Sequence, residues 1–318
     1  MSSQYFVFGI AAAITIGVQS IGFTLAYALR TEIFYDILGG INYLVLALFS
    51  AISGSDKSND TSTLPWTKDW RKIVATCLFI CSRGWLLIFL AWRAHERGGD
   101  ARFDEVLGKK GGRMKPLTFF VYWMAQAFWV YLISMPLLFI NSSSVKQSDF
   151  AAYDIAFATL FGCGVLVEIV ADIQKALWVR SGRPGHFCSV GVWSFSRHPN
   201  YFGEIFQWWC LWAFAQSSSE SNRSYADPLW WACIVSPLFT MHILLNMKPT
   251  GLCNAEGENL QRYYDKCPEH YSAYRNSTSI LIPMIGYRHV PMLLKRTIFF
   301  DFEKYEYKPK EDNSSKKE

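Results

Sequence analysis

The chain has 318 residues, of which 51% are hydrophobic, 17% aromatic and only 18% charged. So little charge is unusual for a soluble protein of this size. The formal net charge of +5 comes without the basic, aromatic-interleaved domain that grips nucleic acid, which excludes that class of partner. Eight cysteines with no CxxC pair or metal-ligand spacing exclude a disulfide framework and a zinc site.

A bilayer core needs roughly 20 apolar residues per helix, and seven segments are read as spans: Tyr5–Leu29, Ile33–Ile52, Trp70–Trp92, Leu117–Ile140, Ala151–Ala171, Tyr201–Ala215 and Pro228–Met247. The expected fold is therefore all-α, a polytopic membrane protein with about seven transmembrane helices in one bundle. The first span is too long for a cleavable signal peptide and lacks a basic leader, so it reads as a first helix. Arg83 sits in the middle of the third span, where a charge needs a partner or a wet cavity, and by default it marks function. Asp36, Glu168 or a ligand could pair with it. Cys77 and Cys81, one turn apart in the same span, read as small buried residues. In FFVYWMAQAFWVY, Tyr122 and Gln126 are four apart on one helix face. His242, in the last span, reads as a satisfied core histidine.

The connections are polar. Residues 54–69, GSDKSNDTSTLPWTKD, form an exposed loop, and three Asn-x-Ser/Thr sequons begin at Asn59, Asn141 and Asn222 in loops assigned to one side. GKKGGR, inside 98–116, lacks the GxxxxGK[ST] of a phosphate loop and reads as a flexible basic connection. Of the 31 Lys and Arg, 24 fall in the alternate segments 30–32, 93–116, 172–200 and 248–318, and 6 fall on the other side. That bias puts the N-terminus outside and the C-terminus in the cytosol.

Three polar clusters share the cytosolic side. Glu168, Asp172 and Lys175 lie on one face of the fifth helix as it leaves the apolar core. In SRHPNYFGEIFQWW, Pro199 can open a helix because its missing N–H would be unpaired there anyway. Asn200 and Glu204 then stand on one face beside Tyr201. In KCPEHYSAYRNSTSILIP, Tyr271, Tyr274 and Arg275 precede a hydrophobic stop at Ile280–Pro283. Arg180, Arg183 and Arg197 could bind phosphates through their planar forks. After Pro283 the chain becomes a mixed-charge tail, expected to fray.

The run DIQK, GVWSFSRHPNYFGE, Tyr-x-x-Tyr and a closing Ile-Pro resembles the membrane reductases related to the steroid 5α-reductase C-terminal domain, in the broad branch bearing SRHPNYFGE. The likeness covers roughly Ala151–Gly286. It implies residues 1–150 as substrate-side helices, 151–286 as a cofactor-binding domain and 287–318 as a polar tail. It also implies NADPH in the cytosolic half, hydride transfer to an activated C=C of a lipophilic substrate, and residence in the endoplasmic reticulum or another endomembrane. Cofactor roles carry over to Asp172, Lys175, Arg180, Arg197, His198, Asn200, Tyr201, Glu204 and Tyr274. The family's Glu and Tyr pair that polarises the enone oxygen has no secure counterpart, so Tyr122, Gln126 and Arg83 are the candidates for that task. No metal is implied. The lipid bilayer and a lipid substrate are the expected partners.

A second class shares part of the signal. Isoprenylcysteine and phospholipid methyltransferases carry a similar Arg-His-Pro-x-Tyr opening that binds S-adenosylmethionine. A non-catalytic lipid-binding protein that keeps the fold is a third reading. There is no GxGxxG, since Gly162-Cys163-Gly164 lies within a span and position 167 is Val, so any dinucleotide must be held by the helices themselves.

Overall fold

The structure, a computed structural model, describes residues 3–53, 69–97, 100, 103–109, 112–142, 150–218, 227–247, 251–256, 260–305 and 307. Its main elements are α1 (Ser3–Leu29), α2 (Phe34–Ser53), α3 (Trp70–Arg97), α4 (Pro116–Ser142), α5 (Ala152–Arg180), α6 (Pro199–Ala215), α7 (Pro228–Ala232), α8 (Val235–Asn246), α9 (Leu252–Ala255), α10 (Gln261–Lys266), α11 (Pro268–Ser277) and α12 (Met292–Thr297). Among the described residues no β-strand forms, and a single isolated bridge joins Ser196 to Ser279.

Six helical stretches are long and apolar enough to cross a membrane: Gln4–Leu29, Phe34–Ser53, Trp70–Glu96, Pro116–Ser142, Ala152–Arg180 and Pro228–Asn246. The chain is therefore an integral, multi-pass membrane protein. The remaining expected span is α6. At 17 residues it is slightly short of the roughly 20 a bilayer core requires, although a 3-10 turn at Gln216–Ser218 prolongs it.

The chain divides into two compact units. The first comprises Met1–Gly162 and Trp208–Pro237. Here α1, α2, α3 and α4 pack on one another, and polar groups join them where lipid offers no alternative partner. Asn141 Nδ2 donates to Ser50 Oγ at 2.9 Å and to Thr76 Oγ1 at 3.1 Å, tying α4 to α2 and α3. Arg71 and Asp154 form a forked pair of 2.9 and 2.5 Å, wholly buried. Pro136 lies inside α4 and removes one helical hydrogen bond. Nearby, the Ser236 hydroxyl donates to the Ile133 carbonyl at 3.1 Å.

Several expectations need correction in this unit. Asn141 is an interior helical residue, closed to solvent, and cannot serve as a glycosylation acceptor; Asn59 and Asn222 lie outside the described residues. Cys77, Cys81 and His242 are exposed on their helices rather than packed inside. The 98–116 connection is not a loose basic loop where it is described. Phe103, Val106 and Leu107 are buried against Ala26, Phe119 and Trp123, and Lys109 Nζ holds Glu32 at 2.6 Å.

The second unit comprises Cys163–Gln207 and Leu238–Glu318. Within it α5 and α6 approach closely at two glycines. A methyl group on Gly203 would fall 2.6 Å from the Gly164 carbonyl oxygen, which is closer than any side chain allows. One turn away Gln207 Nε2 donates to Glu168 at 2.6 Å. The helix α5 stops through a glycine cap: Gly182 takes φ +83°, its N–H reaches Val179 O, and the Arg183 N–H reaches Trp178 O, which satisfies the last carbonyls.

Candidate functional site

The SRHP segment is fixed by its backbone before α6 begins. Arg197 N donates to the Ser279 carbonyl at 2.8 Å and Met284 N to Phe195 O. The Ser196 hydroxyl donates to the Leu281 carbonyl at 2.7 Å. The apolar stop at Ile280–Pro283 therefore holds the motif in place.

From this segment Arg197 points into the interior and is 3% exposed. Its Nη1 meets Glu256 Oε2 at 2.7 Å and its Nη2 meets Asp301 Oδ1 at 2.9 Å. Asp301 Oδ2 accepts from the Tyr287 hydroxyl at 2.9 Å. The other Glu256 oxygen lies 2.7 Å from His198 Nε2, and the His198 ring stacks on Tyr201, 5.3 Å between centroids. Burial works against the Arg197 charge, but the two carboxylates outweigh it and raise the pKa. Burial also opposes ionisation of Glu256, yet Arg197 and His198 bring its pKa down to about 2. For His198 burial is the largest influence and lowers the pKa despite Glu256, with Arg197 and Lys175 adding to the effect. At neutral pH Glu256 is thus an ionised acceptor and His198 a neutral donor through Nε2. That tautomer leaves Nδ1 as an acceptor.

Beside this cluster Asn200 Nδ2 donates to Asp172 Oδ1 at 3.4 Å, while Asn200 Oδ1 and Arg197 Nε are buried with no hydrogen-bond partner among the described residues. Leaving such groups unpaired costs about 1–3 kcal/mol each, so a missing partner is a reasonable inference. Lys175 Nζ lies over the rings of Trp178 and Trp193 at 4.8 and 4.5 Å. Gly191, at φ +55°, lets the chain pass Gln174, whose Oε1 accepts from Val192 N at 3.0 Å. Tyr274 donates to the Trp193 carbonyl at 2.5 Å, and its pKa is raised, above all by burial. Tyr271 is raised for the same reason, reinforced by Glu256. Both phenols stay protonated.

Lys175, Arg183 and Arg262 border this ground without a carboxylate partner among the described residues. Lys175 feels the like charges of Arg183 and Arg262, and Arg262 leans on Tyr263, its Nη2 2.8 Å from the hydroxyl. Arg275 hydrogen-bonds Tyr264 at 3.2 Å.

Residues 22–278 match the family described as protein of unknown function (DUF1295). The chain belongs to the DUF1295 family. That match spans both units of this DUF1295 protein and includes the SRHPNYFGE stretch. Neither the curated proteins nor the solved structures contain a match.

Of the nine expected cofactor residues, the second unit brings Asp172, Lys175, Arg197, His198, Asn200, Tyr201 and Tyr274 into one hydrogen-bonded and stacked neighbourhood. Glu204 is half-buried one turn after Asn200. Arg180 is exposed in the last turn of α5. Arg197, expected to meet phosphate, spends both terminal nitrogens on Glu256 and Asp301. Those two acids were not anticipated. Glu256 follows the short helix α9, and Asp301 stands in the stretch expected to fray, where Tyr287 and Tyr305 are buried. The readable signal was indirect: a buried arginine needs acids, and FFDFEKYEY offers one among aromatics.

The expected substrate-side residues lie in the first unit. Arg83 is 1% exposed, with Nη2 3.0 Å from Ser82 Oγ and its guanidinium over the rings of Trp208 and Tyr43 at 4.6 and 5.6 Å. Gln126 Oε1 is buried without a partner. Tyr122 is partly exposed, packs on Phe103 at 5.4 Å, and its hydroxyl makes no hydrogen bond among the described residues. Among those residues no three of His, Cys, Asp and Glu gather as metal ligands.

Proposed function

We propose that this protein is an NADPH-dependent reductase of the membrane, acting on the conjugated C=C of a lipid. The observation that carries the reading is the set of cations, Lys175, Arg183 and Arg262, left without carboxylate partners among the described residues, together with the orphaned Asn200 acceptor of the same unit. NADPH bears a pyrophosphate and a 2′-phosphate, whereas S-adenosylmethionine carries a net positive charge. A locally basic site attracts the first and repels the second. The buried oxygen of Asn200 accepts from an amide N–H₂ such as that of a nicotinamide.

When bound, the nicotinamide supplies a hydride. The chain's own residues do the rest. Lys175, Arg183 and Arg262 offset phosphate charge. Arg197, locked by Glu256 and Asp301, stiffens the motif and keeps His198 neutral and oriented. Arg83, Gln126 and Tyr122 are the groups that would polarise the substrate oxygen and stabilise charge developing there.

The Lys and Arg distribution supports a cytosolic C-terminus, and the resemblance to membrane reductases supports an endomembrane location such as the endoplasmic reticulum. Protease protection of an epitope fused after Glu318, in sealed microsomes, would contradict that orientation. Activity is tested by following NADPH loss with the purified protein and a panel of lipid enones. Lipid-dependent oxidation supports the reading. Methyl transfer from S-adenosylmethionine to a lipid, without NADPH oxidation, replaces it.

A further inference from the structure

The first unit contains buried hydrogen-bonding groups that have no partner among the described residues. Gln19 on α1 and Asn42 on α2 are completely buried, and in both the amide nitrogen and the amide oxygen lack a partner. On α4, Gln126 Oε1 and Trp123 Nε1 are buried and unpartnered too. A membrane interior tolerates such groups badly, because lipid cannot satisfy them.

They lie within about two helical turns of one another along the unit. A methyl on Gly22 would fall 2.2 Å from the Trp123 ring, and a methyl on Gly39 would fall 2.3 Å from Gln126 Nε2. Those contacts fix α1 and α2 against α4. Successive spans alternate in direction, so the steps Gly22 to Gln19, Gly39 to Asn42 and Trp123 to Gln126 each advance one turn the same way. Residues three apart share a helix face, so Gln19 stands level with Gln126 and Asn42 follows one turn beyond it.

We infer that this layer of Gln19, Asn42, Gln126 and Trp123 is a binding site for the uncharged polar head of a lipid, an alcohol or a ketone. The four groups carry no charge. Each carboxamide offers a donor and an acceptor, the complement of a hydroxyl, and the indole offers a donor to a carbonyl. An acidic head would leave the amide oxygens facing anionic oxygen, so the site discriminates against carboxylate and sulfate. The inference does not rest on the cofactor reading, since it concerns lipid binding alone and is tested without NADPH.

The test is the melting temperature of the detergent-purified full chain, titrated with cholesterol and with oleyl alcohol. Cholesterol sulfate and oleate, the same skeletons with anionic heads, serve as controls. At least one neutral probe should stabilise the protein saturably, and its anionic counterpart should not. Asn42→Leu and Gln19→Met keep the volume and remove the orphaned amides. Each should melt at or above the wild-type temperature without lipid, and should bind the effective probe at least about tenfold more weakly. Stabilisation by neither neutral probe, as expected if water alone occupies the layer, overturns the inference. So does equal binding by both variants, or preference for the anionic probes.

Discussion

Arg197 and Glu256 stand 59 residues apart in the chain and meet at 2.7 Å, both nearly closed to solvent. The pair organises everything near the SRHP motif. One Glu256 oxygen holds the arginine, the other orients His198, and Asp301 holds the arginine's second terminal nitrogen from the far end of the chain. Such a cluster is costly to bury. Its value lies in presenting a neutral histidine and a rigid helix start at a basic, aromatic site.

Removing one partner should be severe. Glu256→Ala leaves Arg197 buried with a single acid, and breaking a buried pair in this way costs about 3–5 kcal/mol. Asp301→Asn, which keeps the shape and one of the two accepted hydrogen bonds, should cost less. Melting curves of the two variants order them, and equal, near-wild-type stability of both would show that the cluster is not a structural hub.

Acid should loosen the same cluster. The folded pKa of Glu256 is depressed from 4.5 to about 2, so its stabilisation is complete above 4.5 and is lost as pH falls toward 2. The His198 pKa is lowered from 6.5, so the unfolded chain takes up that proton first and stability already declines as pH drops below 6.5. Melting temperature should therefore fall steadily on acidification from neutral pH. A His198→Gln variant should delay the onset. A wild-type curve that rises on acidification contradicts both assignments.

Asn200→Ala should weaken cofactor binding with little loss of stability. The variant removes an orphaned acceptor together with a long 3.4 Å contact to Asp172 and opens no large cavity. Binding reduced by about tenfold or more at an unchanged melting temperature is the expected pair of results. Wild-type affinity would remove Asn200 from the site.

Gly203→Ala tests the close approach of α5 and α6. The added methyl meets the Gly164 carbonyl oxygen at 2.6 Å and Glu168 N at 2.8 Å, which is backbone that cannot swing aside. Overpacking of this kind costs about 1–3 kcal/mol. Gly162→Ala, on a face where a methyl meets nothing within 4 Å, should be neutral or mildly stabilising.

Much of the fold was legible because bilayer thickness writes itself into apolar run length. All six long spans begin within a few residues of where the hydrophobic segments put them, and the fifth runs on past Ala171 to Arg180. Polar detail was harder to read. Apolar composition cannot tell a lipid-facing position from a packed one, so Cys77, Cys81 and His242 were placed inside. Asn141 was read as loop because serines follow it, although its amide bonds Ser50 and Thr76 across three helices. Near the motif, helical spacing set Glu168 with Asp172 and Asn200 with Glu204, whereas the contact of Asn200 with Asp172 arises only from the packing of α5 on α6. The counter-ions Glu256 and Asp301 lie far away in sequence, and no local pattern announces a long-range ion pair.

The central claim is that the basic, aromatic site of the second unit takes an anionic dinucleotide. Titration of the detergent-purified full chain with NADPH and with S-adenosylmethionine, read as ligand-dependent stabilisation, tests it directly. The account predicts saturable stabilisation by NADPH that weakens with added salt and is reduced in Lys175→Met and Arg262→Met, with no response to S-adenosylmethionine. Stabilisation by S-adenosylmethionine alone would contradict it.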